Sequence, residues 1–333
     1  MLKPVAISSE PAAAIEAAAA EAPYLADLAH SVDGYDDPDA LLGSAFSLCE
    51  HVASGDVDPA MTLRLAKKQA HLAIAAGDLC GRYSLAQTTR QITEFADASM
   101  DAALNASLGS RDLSARGLFA VALGKMGAFE LNYSSDIDIA VFFDPDLFDG
   151  GEREPVDAAI RTVRKMIGLL DDRTPDGYVF RTDLRLRPDP SSTPVAVSTR
   201  RAELYYESVG QNWERMVWIK GRAAAGDLEA GSAFISALEP FVWRRHLDFA
   251  AIQDAHDMRL RIRDHKGLHG PLILDGHNMK LGRGGIREIE FLVHSLQLLR
   301  GGQQPVLRET NLLKALTLLN HHDVLEPDIT ESL

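Results

Sequence analysis

Asp136 and Asp138, separated by one residue and set after the glycine turn Gly124-Lys125-Met126-Gly127, are the side chains of this sequence best placed for chemistry. An apolar run, Leu118 to Leu123, precedes the turn, and a second follows the aspartates through Phe143. Both read as buried strands. Side chains alternate faces along a strand, so the two carboxylates point the same way. Two carboxylates a few ångströms apart repel each other unless a cation sits between them. Their hard oxygens favour Mg²⁺ or Mn²⁺. Glycines let the backbone approach a phosphate closely. A metal held at a glycine turn is the equipment of phosphate chemistry.

Asp183 supplies a third carboxylate, 45 positions beyond Asp138. Residues Tyr178 to Leu186 alternate in character, which predicts a strand with Val179, Arg181, Asp183, Arg185 and Arg187 on one face. That face is too charged for an apolar core and should look into a polar site. Three carboxylates can clamp two metals, stabilising the attacking and leaving oxygens of phosphoryl or nucleotidyl transfer. Seven basic residues have no evident acidic partner in the sequence: Arg185, Arg187, Lys220, Arg222, Lys280, Arg283 and Arg287. Phosphate recognition uses Arg forks and Lys charges. Strand position singles out Arg185 and Arg187, and flanking glycines single out Lys280 and Arg283. Blander readings stand beside these. Ser-Asp-x-Asp also spells an Asx turn opening a strand. Gly124 to Gly127 also spells a tight turn, with Lys125 solvated, and it is neither a P-loop nor a dinucleotide fingerprint. Glu288 and Glu290 suit the start of a helix through its dipole. His265, His269 and His277 form no zinc pattern.

These residues need elements to hold them. Helical spacing and breaks near Asp33–Pro38 and Gly55–Pro59 predict a helical subdomain over 1–115. Asp58-Pro59 has the form of an N-cap followed by proline at the first helical position. Residues 116–230 read as the catalytic domain. It includes a helix over Pro155–Asp171 with Ile160, Val163, Ile167 and Leu170 on one face. Residues 231–333 read as helical again. A long charged stretch over Trp243–Lys266 is followed by a glycine-rich connector from Lys280 and a helix over Ile286–Arg300, with Ile286, Ile289, Val293 and Leu296 in one stripe. The expected fold class is α+β, a small mixed sheet with helical subdomains before and after. Asp and Glu number 48 against 34 Lys and Arg, a formal net charge of −14, and residues 1–60 carry eleven acids against Lys3 alone. That balance argues against nucleic acid as a partner. Cys49 and Cys80 lie far apart and read as buried thiols of a reducing cytoplasm. No apolar run is long enough to span a membrane, and the stretch Ala12–Ala22, broken by Glu16 and Glu21, reads as helix rather than as a secretion signal.

The run Gly124-Lys-Met-Gly-Ala-Phe-Glu-Leu-Asn-Tyr-Ser-Ser-Asp-Ile-Asp138 resembles the signature of the glutamine synthetase adenylyltransferase family. The resemblance continues through Asp183-Leu-Arg-Leu-Arg-Pro188, Asn212-Trp-Glu-Arg215, Ile219-Lys-Gly-Arg222 and Lys280 to Phe291. It implies a nucleotidyltransferase domain of the DNA polymerase β type. It implies metal binding by Asp136, Asp138 and Asp183, and a nucleotide site that includes Gly124, Lys125 and Ser135. Arg185, Arg187, Lys280 and Arg283 are the candidates to neutralise phosphate. The wording is closest to the family's N-terminal copy, which implies a front fragment that releases ADP from AMP-modified glutamine synthetase by attack of inorganic phosphate. Adenylyl transfer from ATP by the same site and a non-catalytic module sensing a PII-type protein are the alternatives. Two places depart from the family pattern: Ala128, where glycine is commoner, and Asp189-Pro-Ser-Ser-Thr-Pro194, where more glycine is expected.

Overall fold

The computed structural model describes residues 7–108, 114–151, 153–245, 253, 257, 260 and 275–332. Two compact units divide the chain: residues 1–201 with 222–234, and residues 202–221 with 235–333.

In the first unit, five helices precede the sheet: α1 (Pro11–Ala19), α2 (Pro23–Ser31), α3 (Pro38–Ser54), α4 (Pro59–Leu79) and α5 (Leu85–Ser107). Their starts are chemically specified. Proline opens the first four, where its missing N–H costs nothing. The Asp58 carboxylate accepts from Met61 N at 2.7 Å, as its sequence predicts. Ser84 and Gln87 close a capping box at α5. Gly55, at φ 77°, ends α3 in the left-handed conformation. Helix α4 is buried almost all round, with Leu63, Ala66, Ala70, Leu72, Ala73, Ile74 and Ala76 inaccessible. It packs against α1, α3 and α5. Cys49 and Cys80 are free thiols, the first buried and the second half-buried.

The sheet consists of β1 (Leu118–Ala122), β2 (Ile137–Phe143), β3 (Thr182–Asp183), β4 (Ala196–Ser198) and β5 (Arg222–Gly226). Central β1 pairs antiparallel with β2 on one side and β5 on the other. The outer edge of β2 is shared: β3 runs parallel to its first residues and β4 to its last. The faces sort by parity. Leu118, Ala120, Ala122, Ile137, Ile139, Val141 and Phe143 belong to the same core as the helices. On the other face, Phe119 and Phe142 meet Phe234 of α10 (Leu228–Ala237), with ring centroids 5.8 and 4.6 Å from it. A Cβ at Gly231 would strike that of Ala223 in β5 and crowd Phe119, so glycine lets α10 lie close to the sheet. Between β1 and β2 stands the helical turn α6 (Gly124–Gly127), and α7 (Pro155–Asp171) forms as predicted, burying Val163, Met166 and Leu170.

The expected strand over Tyr178–Leu186 shrinks to two residues. Val179 and Phe180 both donate to the Leu170 carbonyl at the end of α7 and are buried. Beyond Asp183 the chain turns, because that carboxylate accepts from Arg185 N. The alternation therefore straddles a helix-end contact, a short strand and a turn.

The second unit holds part of α8 (Thr199–Ser208), then α9 (Asn212–Trp218), α11 (Glu239–Val242), α12 (Ile286–Gly301), α13 (Leu312–His321) and α14 (Pro327–Ser332). Val293, Leu307, Ala315, Leu316 and Leu319 form its core. Ile286, expected in the buried stripe of α12, is half exposed. Most of the helix expected over Trp243–Lys266 lies outside the described residues, as do His265 and His269. No helix among the described residues is long and apolar enough to cross a membrane.

Candidate active site

Asp138 lies in β2 with the parity of Phe142, hence on the sheet face away from the helical core. Its register partner in parallel β3 is Asp183, so the two carboxylates stand side by side. Asp136 precedes β2 with the same parity and is exposed. Helix α10 covers the far half of this face, and the carboxylates occupy its near end. Leu123 N donates to the Asp138 carbonyl at 2.9 Å, which brings the glycine turn directly beside the second aspartate. Gly124 has φ 53°, and a Cβ there would overlap the Asp138 carboxylate. Glycine is thus required twice, for the backbone and for the space.

The loop back to β2 is an Asx turn headed by Asn132 rather than by an aspartate. Its Oδ1 accepts from Ser134 N at 3.2 Å and from Ser135 Oγ at 2.9 Å. Ser135 is thereby fixed next to Asp136. Ala128, where the family favours glycine, sits at φ −89° and ends α6, a conformation open to any residue. Lys125 is exposed on the turn.

Guanidinium groups hold Asp136 and Asp183. Arg181 Nε donates to Asp136 Oδ1 at 2.5 Å, while its other nitrogens reach Tyr178 Oη at 2.8 Å and the Ser134 carbonyl at 2.6 Å. Arg185 donates to both oxygens of Asp183, at 3.0 and 2.9 Å from Nε. This bond holds the Asp183 carboxyl below the usual carboxylate range. Arg187 stands apart. Its nitrogens donate to the carbonyls of Leu184, Pro190, Thr193 and Pro194, at 2.8 to 3.0 Å. It closes its own loop, the one whose proline and serine replace expected glycine.

Three carboxylates at one sheet end are the hard-oxygen donors that Mg²⁺ or Mn²⁺ takes. The cationic groups on Asp136 and Asp183 mark positions where positive charge is stable, so the donor chemistry fits a divalent ion. Among the described residues no three acidic, histidine or cysteine side chains converge on one point. Arg181 and Arg185 would have to yield for a shared ion.

Three residues without evident acidic partners in the sequence have them in the fold. Arg185 pairs with Asp183, Arg222 with Asp97 at 2.8 Å, and Lys220 with Glu290 at 3.2 Å. Lys280 and Arg283 belong to the second unit and are exposed on a loop organised by Asn278, whose Oδ1 accepts from Lys280 N and Leu281 N. Sequence reasoning placed Arg181 on the right face but missed it as the partner of Asp136. Its position two residues before Asp183 was the available signal.

A family model described as glutamate-ammonia ligase adenylyltransferase matches residues 12–237. The chain belongs to this family. A second model, GlnD PII-uridylyltransferase, is similar to residues 256–333. The bifunctional glutamine synthetase adenylyltransferase/adenylyl-removing enzyme of Caulobacter vibrioides is 47% identical over 324 residues, covering 90% of this chain and 33% of the relative. The enzyme of the same name from Rhizobium meliloti is 48% identical over 267 residues, covering 76% and 27%. That from Agrobacterium fabrum is 45% identical over 287 residues, covering 81% and 29%. The chain thus spans about a third of the length of the curated relatives it matches. The family match takes in the glycine turn and all three aspartates.

Proposed function

We propose that this chain removes AMP from a tyrosine of adenylylated glutamine synthetase by phosphorolysis, releasing ADP, on a nucleotidyltransferase domain of the DNA polymerase β type. The observation that carries the reading is the side-by-side register of Asp138 and Asp183, with Asp136 two residues before and Gly124 against Asp138. The family membership supports a nucleotidyltransferase, and the wording of the motifs favours removal over attachment.

Inorganic phosphate is the nucleophile in this reaction. Its oxygen bonds to the adenylyl phosphorus, the bond from that phosphorus to the tyrosine oxygen breaks, and the phenolate leaves and takes up a proton. The products are ADP and unmodified tyrosine. Two anions must be brought together, so the site has to cancel charge and fix geometry. Asp136, Asp138 and Asp183 would hold Mg²⁺ or Mn²⁺, which when bound supplies positive charge to the phosphoryl oxygens. Gly124 leaves the turn open to close approach by a phosphate, and Lys125 and Ser135 flank it. Arg185 is exposed and carries its fork to the same edge. Arg187 shapes the adjoining loop. The similarity of residues 256–333 to a PII-uridylyltransferase model supports a PII-type regulatory protein as a further partner.

The test is to mix the chain with AMP-modified glutamine synthetase, phosphate and Mg²⁺ and to follow ADP. Phosphate-dependent ADP is expected, and it should fall to background in Asp138→Asn. AMP transfer from ATP onto unmodified synthetase, with no ADP in the first assay, would replace the proposal by its reverse.

A further inference from the structure

The glycine turn is gripped from the opposite side of the sheet, by residues that the carboxylate site does not use. Arg222 opens β5 opposite Ala122 and shares its parity, so it faces α5. There it pairs with Asp97, and its NH2 nitrogen also donates to the Met126 carbonyl of the turn at 3.1 Å. Both side chains of the pair are 19% exposed. Arg222 Nε has no acceptor among the described residues. The guanidinium instead lies over the Phe129 ring, 4.0 Å from its centroid, and Arg90 lies 4.6 Å from the same ring. Phe129 itself is held at φ 58°, a conformation side chains rarely adopt.

These contacts come from one stripe. Arg90, Thr93, Asp97 and Asp101 recur at the three- and four-residue spacing of a helix face. Arg90 touches Phe129. Thr93 Oγ1 accepts from Leu131 N at 3.4 Å, Asp97 holds Arg222, and Asp101 Oδ1 accepts from Gly226 N at 2.8 Å. A strained aromatic that meets two guanidiniums, with a charged fork on the turn's carbonyl, exceeds what packing needs. Even a half-buried pair costs desolvation that apolar residues would avoid.

We infer that Arg222, held by Asp97, is a positioning residue that fixes the Gly124–Gly127 turn against Asp138 for phosphate binding. The phosphate-binding half of this inference rests on the reading in the preceding subsection; the positioning half does not. Because either single loss strands a half-buried charge, the informative variant is the neutral pair Asp97→Asn/Arg222→Gln. Two readouts serve: hydrogen exchange at the amides of Gly127 and Ala128, which bond to Leu123 and Gly124 carbonyls at 2.9 and 3.3 Å, and binding of Mg²⁺-ADP by calorimetry. The expected result is at least about tenfold faster exchange at those two amides, with β1 and β2 unchanged, and about tenfold weaker Mg²⁺-ADP binding. Arg222→Lys, which keeps the charge and loses the fork, should fall between. Exchange at the turn equal to that of the unaltered chain would overturn the inference. So would equal acceleration over the whole sheet, the mark of a purely structural pair. If the unaltered chain binds no Mg²⁺-ADP, the phosphate-site reading falls, and exchange alone judges the positioning.

Discussion

Single residues in this site are constrained by charge and by space, and the two constraints predict different things. At Gly124 space dominates. Alanine there must adopt a positive φ and push its methyl into the Asp138 carboxylate. A displacement of about 1 Å at a reacting group costs on the order of a hundredfold in rate. Gly124→Ala should therefore lose about that factor in ADP release, measured as an initial rate, and about 1 kcal/mol of stability from the backbone alone. At Asp97 charge dominates. Burial pushes its carboxyl up to about 6, with Arg222 pulling the other way. A carboxyl that titrates higher in the fold than in the open chain favours folding in its protonated form. That contribution is fully present below about 4, the open-chain value, and is lost as pH rises through about 6. Carbon-detected titration should place Asp97 near 6 and, in Arg222→Gln, higher still. In Asp97→Asn, this part of the stability loss between about pH 4 and 6 should vanish from the denaturation profile. A midpoint near 4 in the unaltered chain would show that Arg222 outweighs burial.

At the scale of elements, α5 works as a scaffold, and its start is separable from its stripe. The Ser84–Gln87 capping box lies at its exposed end, far along the helix from Asp97 and Asp101. Ser84→Ala should cost about 1 kcal/mol in denaturant unfolding while leaving exchange at Gly127 unaltered. A changed turn would mean that the helix end, and not the stripe, sets the geometry. How far such elements can be read from sequence depends on how local their causes are. Strands β1 and β2 and helix α7 were legible because apolar runs, a glycine turn and Pro155 sit within each segment or at its border. The paired Asp136 and Asp138 were legible for the same reason. Residues 178–186 misled, because buried Val179 and Phe180 answer to the end of α7, whereas Asp183 answers to β2. The grip of Asp97 on Arg222 spans 125 positions and leaves no local pattern. Nor does any local pattern show that Arg187 would spend its fork on carbonyls of its own loop. Charge pairing across the fold is the part that spacing does not encode.

At the scale of the whole molecule, the helices of residues 7–108 belong to the same compact unit as the sheet, and Arg64 shows what joins them. Its side chain, 2% exposed on α4, donates to the carbonyls of Ala60, Leu169 and Gly177 at 2.8, 3.3 and 2.9 Å and also to that of Asp172. Three of those carbonyls lie around the end of α7 and in the segment that leads to Asp183. Lys67, one turn on, donates to the Tyr178 carbonyl at 3.3 Å, and burial lowers its amine to about 8. Helix α4 therefore holds the approach to one carboxylate while α5 holds the turn beside another. In Arg64→Met the apolar stem is kept, yet the carbonyls lose a charged donor in a buried place. The expected cost is about 3 kcal/mol. For a unit of this size each kcal/mol lowers the melting temperature by roughly 2–4 °C, so the drop should be about 6–12 °C in calorimetry. Because the lost bonds tie α4 to the end of α7 and to the segment that leads into β3, the transition should stay single, with helical and aromatic signals melting together. Two separated transitions, the helical one unmoved, would show instead that residues 7–108 fold independently and that the Arg64 bridge is dispensable to the sheet.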